Sequence, residues 1–102
     1  MNTSQGIQTN HTVIRTKDNI VSEMDGEKVL LSIRNGKYYN LGKVGGRIWD
    51  LMESQISAND LIAVLVSEYE VAQHECEEQV ISFLEHLLKE GLIISDAIIA
   101  EE

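Results

Sequence analysis

Only one cysteine, Cys76, occurs in the 102 residues. No internal disulfide can form, which fits a reducing compartment and leads us to expect a cytoplasmic protein. Long apolar runs are missing too. Stretches such as Leu61–Val66 fall well short of the roughly 20 residues that a membrane-spanning helix needs, so no membrane partner is expected. The segment Met1–Asn10 has neither a cationic start nor an apolar stretch and does not read as a secretory signal. Basic residues are scarce in one half of the chain. Residues 50–102 carry one Lys or Arg against thirteen Asp or Glu, whereas residues 1–49 carry seven against four, so the net charge of −9 divides into −12 and +3. Duplex nucleic acid is held largely by Lys and Arg that neutralise phosphates, and a half this acidic cannot lie along such a backbone. The acidic excess serves either a solvated surface or the steering of a cationic partner.

What is present describes a folded domain. Apolar residues make up 43% and charged residues 25% of the chain, far from the composition of disorder. The length allows one domain, since single cores take up roughly 100 to 150 residues. It leaves little room for a deep catalytic cavity beside a core. We expect a polar, mobile arm over residues 1–10, a domain over 11–96 and a tail over 97–102.

From His11 to Leu41 the chain is rich in β-branched and aromatic residues, in four runs: Thr12–Thr16, Ile20–Met24, Val29–Ile33 and Tyr38–Leu41. These read as strands. Asp25-Gly26 and Asn35-Gly36 separate the last three and suit two-residue hairpin turns, the second pair being the stronger signal. With Asn35 and Gly36 as the turn, Arg34 opposes Lys37, Ser32 opposes Tyr39 and Leu30 opposes Leu41. Val29, Leu31, Ile33, Tyr38 and Asn40 then point to the other face, so both faces carry apolar side chains.

After Leu41 the period becomes helical. Val44, Ile48, Leu51 and Met52, with Trp49 beside them, place a helix at about Lys43–Glu53. Ser57 and Asp60 resemble a capping box opening a second helix that runs to Tyr69. A third helix runs from about Ala72 to Glu90 and stops at Gly91, after which Leu92–Ile94 is a short apolar extension. Around the third helix Phe83, Cys76, Leu87, Val80, Leu84, Leu88 and Ile81 cover an arc of roughly 160°. A helix touching one core needs an apolar stripe of about 100° or a little more, so the surplus faces either a second partner or the remaining elements of a small domain.

Catalytic and metal chemistry find little support. His74 and Cys76 lie about 200° apart on a helix and cannot share an ion. Cys76 sits on the apolar stripe, which argues for an inert thiol. His86 reads as a solvated side chain on an acidic helix. No catalytic triad or phosphate loop can be assembled, so we expect neither an enzyme nor a cofactor. No Ser follows an Asp, which excludes an acyl carrier. Helices two and three resemble a helix-turn-helix with a winged sheet, and the alternative function is therefore a winged-helix transcription regulator. Its reading helix would present Glu75, Glu78, Glu85 and Glu90 to phosphates.

The segment Tyr39-Asn40-Leu41-Gly42-Lys43-Val44-Gly45-Gly46-Arg47-Ile48-Trp49-Asp50-Leu51 resembles the best-kept stretch of the PqqD-like family, roughly Tyr-x-Leu-Asn-x-x-Gly-x-x-Ile-Trp-x-Leu. Tyr39, Leu41, Gly45, Ile48, Trp49 and Leu51 match. Gly42 stands where the family has Asn, which removes a capping side chain. The resemblance extends over about Asn19–Ile94 and is greatest to the stand-alone recognition proteins of lasso-peptide biosynthesis.

The resemblance implies an α+β, winged helix-turn-helix-like fold, a three-stranded antiparallel sheet followed by three helices, that grips the leader of a ribosomally made precursor peptide. The leader would add as a strand to the edge of the Lys37–Leu41 strand and pack on the third helix. In this family's lasso systems the leader carries a Tyr-x-x-Pro element, which suits an apolar pocket of Tyr38, Val80, Phe83, Leu84 and Leu87. The wider peptide-binding set is Arg34, Lys37, Tyr38, Tyr39, Asn40, Leu41, Cys76, Val80, Phe83, Leu84 and Leu87. The implied partners are the leader, a separate leader protease and an ATP-dependent macrolactam cyclase, with no cofactor. The groove would lie between a basic sheet bearing Arg34 and Lys37 and an acidic helix bearing Glu75, Glu77 and Glu78.

Overall fold

A computed structural model describes residues 7–95. In chain order the elements are β1 (Thr12–Arg15), β2 (Asn19–Met24), β3 (Glu27–Ser32), β4 (Lys37–Leu41), α1 (Gly42–Leu51), β5 (Ile56–Ser57), α2 (Ala58–Tyr69), α3 (Gln73–Lys89) and β6 (Ile93–Ser95). The α+β class, the antiparallel sheet β2-β3-β4 and the three helices agree with the sequence reading. A second antiparallel sheet, β5-β1-β6, joins the start of the described chain to its end. The apolar extension after Gly91 is therefore a strand, and Thr12–Arg15 pairs with it rather than with β2.

The two hairpin signals have opposite outcomes. Asp25 and Gly26 both take positive φ, 56° and 80°, and Met24 opposes Glu27, which makes the two-residue turn that such a dipeptide favours. Asn35-Gly36 does not. Ser32 opposes Lys37, Leu31 opposes Tyr38 and Leu30 opposes Tyr39, so the register is shifted by two residues from the expected one and the loop is Ile33–Gly36. The cause is local. Gly36 N–H donates to the Ser32 carbonyl at 2.8 Å, and Asn35 N–H donates to Ser32 Oγ at 3.1 Å. Together they close a wider turn in which Ser32 takes part. A shift of two leaves every side chain on its expected face.

The inward face of this sheet, with Lys28, Leu30 and Tyr39, receives α1. Gly45, Gly46, Ile48, Trp49 and Met52 form the helix's buried side. Val44, placed on the stripe by the sequence, is 46% exposed, and the stripe is rotated by one residue toward the glycines. Two close approaches explain the rotation. A Cβ on Gly46 would stand 2.9 Å from Lys28 Cβ, and one on Gly45 would stand 2.9 Å from Phe83 Cζ and 3.2 Å from Leu41 Cβ. Lys28 spans the sheet and the helix, with its Nζ 3.0 Å from Asp50 and 3.4 Å from Glu23. The Asp50 hydrogen bond, supported by Glu23, holds its pKa above the usual lysine value.

The helices begin and end as their sequences direct. Ser57 Oγ accepts from Asp60 N–H at 3.0 Å, the expected cap of α2. Helix α3 stops at Gly91 (φ 79°), where Leu92 N–H donates to the Leu87 carbonyl at 2.9 Å and Gly91 N–H to that of Leu88 at 3.1 Å. This is the paired closure of a Schellman motif. Arg47 makes a bidentate pair with Glu68, tying α1 to α2. Of the arm expected over 1–10, residues 1–6 lie outside the described residues. Ile7 is buried at 4%, and its N–H donates to Glu85 on α3 at 3.0 Å. The expected tail over 97–102 also lies outside the described residues.

Ser32 is 2% exposed and fixes the loop register through its hydroxyl. Ser32→Ala is expected to lower stability by about 1 kcal/mol, read by urea denaturation. An unchanged midpoint would show that the register is held elsewhere.

Candidate functional site

Strand β4 is the element that positions the site. It lies at one edge of its sheet, paired with β3 on one side only, so its other side offers backbone N–H and C=O groups to an incoming strand. Helix α3 is joined to the hairpin at one end by a polar cluster. The Tyr39 hydroxyl donates to Glu90 Oε1 at 2.7 Å. Asn35 Nδ2 donates to the Glu90 carbonyl at 2.8 Å and to the Tyr39 hydroxyl at 3.1 Å. Lys37 Nζ lies 3.8 Å from Glu90 Oε1. The Tyr39 hydrogen bond, with a smaller contribution from Lys37, holds the Glu90 carboxyl below the usual glutamate range.

At the opposite end of β4 an apolar cavity of about 460 Å³ begins at Leu41. Its α1 wall is Val44, Gly45 and Ile48. Leu65 and Tyr69 close it from α2, and Val71 from the connection that follows. The α3 wall is Cys76, Val80 and Phe83, with Glu75 and Gln79 as polar members. Val44, Tyr69 and Val71 are each more than 40% exposed, so apolar surface is open to solvent at the mouth. Burial pushes the Cys76 thiol pKa up, as expected for an unreactive cysteine.

The sequence-expected set thus divides. Leu41, Cys76, Val80 and Phe83 come together in the cavity, and Tyr39 and Lys37 meet at Glu90. Leu84 and Leu87 do not line the cavity: they are 0% and 1% exposed and belong to the core. Nor can Tyr38 share a pocket with Phe83, because its place in the register is beside Leu31, on the face of the sheet turned away from α1. Asn40 lies on that same face, beside Val29, although its Oδ1 turns back to accept from Gly42 N–H at 2.9 Å. This supplies an acceptor at the start of α1 that the missing Asn at position 42 would have given. Arg34 sits in the loop, within 3.7 Å of where a Gly91 Cβ would be.

The expected acidic wall divides as well. Glu75 lines the cavity, whereas Glu77 and Glu78 lie across α3 in a separate trench with Ile7–Thr9 and Glu85. Sequence reasoning left out Val44, Tyr69 and Val71 at the mouth and Gly45, Ile48, Leu65 and Gln79 along the walls. The sequence places Val44 on the buried stripe of α1, and the signal for Tyr69 and Val71 is apolar character at the end of α2 and just beyond it. His74 pairs with Glu78 at 3.3 Å, and among the described residues no three His, Cys, Asp or Glu side chains group to hold a metal. No described helix is long and apolar enough to cross a membrane.

The fold and site define a small domain that sets a free strand edge beside a helix-walled apolar groove. A match to the family described as Coenzyme PQQ synthesis protein D (PqqD) spans residues 27–93, and the chain belongs to that family. Two solved structures are similar to it. "TbiB1 in Complex with the TbiA(beta) Leader Peptide" is 29% identical, with a TM-score of 0.71 over 78% of this chain and 93% of that one. "Lasso peptide synthetase B1 complexed with the leader peptide" is 26% identical, with a TM-score of 0.70 over 80% and 96%. Among curated proteins nothing matches.

Two outcomes test this placement. Leu84→Ala is expected to cost about 2–5 kcal/mol of stability, as for a fully buried leucine, and Phe83→Ala clearly less, because the ring borders a cavity. Equal losses in urea denaturation would put Phe83 in the core. Because the folded Glu90 pKa is depressed, its contribution is present above the ordinary value of 4.5 and is lost as pH falls through the lower folded value. Acidification should therefore lower the protection of the amides around Asn35 and Tyr39, taken as exchange relative to the intrinsic rate at each pH, and in Glu90→Gln that protection should no longer vary with pH.

Proposed function

We propose that this protein binds the leader segment of a ribosomally made precursor peptide, of the lasso class, as an added strand on the free edge of β4. The observation that carries the reading is the juxtaposition of that edge with a solvent-open apolar cavity, so that one extended peptide can satisfy both at once. Backbone pairing supplies sequence-tolerant affinity, and the cavity supplies selectivity for alternate side chains. The two similar structures, both complexes with leader peptides, support it.

The protein acts by binding, not by catalysis. Holding the leader raises the local concentration of precursor for a separate leader protease and an ATP-dependent macrolactam cyclase. The peptide-contacting set is Lys37–Leu41 along the edge and Val44, Tyr69, Val71, Cys76, Val80 and Phe83 in the cavity. No cofactor takes part. The site operates in a domain spanning residues 11–96 and in the cytoplasm. The rival reading, a winged-helix regulator, places α3 in a DNA groove, where exposed Glu75 and Glu78 would repel phosphates.

The test first reads the genes beside this one for a short precursor and then uses a synthetic peptide with its leader sequence. On its addition, amides of Lys37–Leu41 should become protected from hydrogen exchange. Protection confined to Asn19–Met24 would place the peptide on the β2 edge and overturn the reading, as would the absence of binding.

A further inference from the structure

The outward face of the β2-β3-β4 sheet carries a row of three apolar side chains, Ile20, Leu31 and Tyr38, each directly opposite the next. Leu31 in the middle is half-buried, but Ile20 is 49% and Tyr38 75% exposed. Helix α1 packs on the inward face, against Lys28 and Leu41. Cross-strand apolar rows normally belong to covered sheet faces. This one is bare among the described residues, and it ends on β4, at the edge to which the leader is assigned.

We propose that Tyr38 is a second reading position for the leader, outside the α3 groove, that takes the outward-pointing side chain of the leader residue opposite it. The proposal rests on the leader-binding reading and deepens it. Side chains of an added strand alternate between faces. Those beside Tyr39 and Leu41 turn inward, toward the groove, and the groove can read no others. Those beside Tyr38 and Asn40 turn outward. There the Tyr38 ring, backed by Leu31, offers apolar contact, and the added residue extends the existing row to a fourth strand. Asn40 offers a polar neighbour two residues along. The chemistry selected on this face is therefore an aromatic or β-branched side chain opposite Tyr38 and a polar one opposite Asn40. The leader is read with a period of two, on both of its faces.

The test measures the affinity of the same synthetic leader, and of its single-alanine variants, for wild-type protein, Tyr38→Ser, Tyr38→Phe and Phe83→Ala, by fluorescence anisotropy. Tyr38→Ser should weaken binding about two- to fivefold, the range of a cross-strand contact. Its melting temperature should fall only slightly, because the side chain it replaces is 75% exposed and loses at most the cross-strand contact with Leu31. Tyr38→Phe should retain affinity. The Tyr38→Ser loss should vanish against one alanine-substituted leader, at an odd number of residues from the positions that couple to Phe83→Ala. Wild-type binding with a silent Tyr38→Ser, or coupling of Tyr38 and Phe83 to positions of the same parity, overturns the second reading position alone. Failure of the wild type to bind the leader overturns the leader-binding reading itself.

Discussion

The free edge of β4 is useful only because α3 stands at a fixed place beside it, and that place is set at Glu90. Its carboxylate takes the Tyr39 hydroxyl while its carbonyl takes the Asn35 side-chain amide, so the residue that caps a long helix is bound both to the hairpin loop and to the strand that follows it. The position is demanding. Helix α3 must terminate at this point, which Gly91 ensures by turning the chain left-handed, and the loop must be long enough to bring Asn35 across, which the Ser32 contacts ensure. Stop signal, loop register and tyrosine are three local choices that agree on one geometry, the kind of consistency across levels that marks a well-specified fold.

At the other end of the groove the determining feature is the missing side chains of Gly45 and Gly46. They bring α1 against Lys28 on one side and Phe83 on the other, which turns the helix so that Val44 faces solvent at the cavity mouth and Trp49 enters the core. Once inside, Trp49 is covered by Arg15, whose guanidinium carbon lies 5.7 Å from the ring centroid and whose Nη1 donates to the Trp49 carbonyl at 3.2 Å. The motif that carries the family resemblance therefore records a packing arrangement. Its glycine, isoleucine and tryptophan orient a helix, and the orientation opens the groove.

Strand and helix identities were legible because periods of two and of 3.6 are written directly in the apolar positions. So were the ends of α2 and α3, through Ser57 and Gly91, where one residue decides the backbone. Register was less so. Asp25-Gly26 forms the turn its composition favours, whereas Asn35-Gly36 yields to a serine three residues upstream and to a glutamate at the far end of α3, contacts that no local rule contains. The wide apolar arc of α3 was visible, but its division was not. Phe83 and Val80 line the groove while Leu84 and Leu87 belong to the core, although Leu87 lies between Phe83 and Val80 around the helix and differs only in standing a turn further along it, so the division depends on where α1 and α2 lie. The second sheet escaped notice because β5 has two residues and β6 three, too few to show any period.

A five-residue strand with one side unpaired is also a hazard whenever no peptide occupies it. The same row of N–H and C=O groups that accepts a leader accepts another copy of β4, the first step of edge-to-edge aggregation. Sequence and charge oppose this. Lys37 stands at the start of the strand, and copies approaching through that edge would each carry the net charge of −9, whose mutual repulsion keeps copies apart. The acidity concentrated after residue 50 thereby acquires a role that does not depend on attracting anything: it lets a chain remain in solution with its edge open.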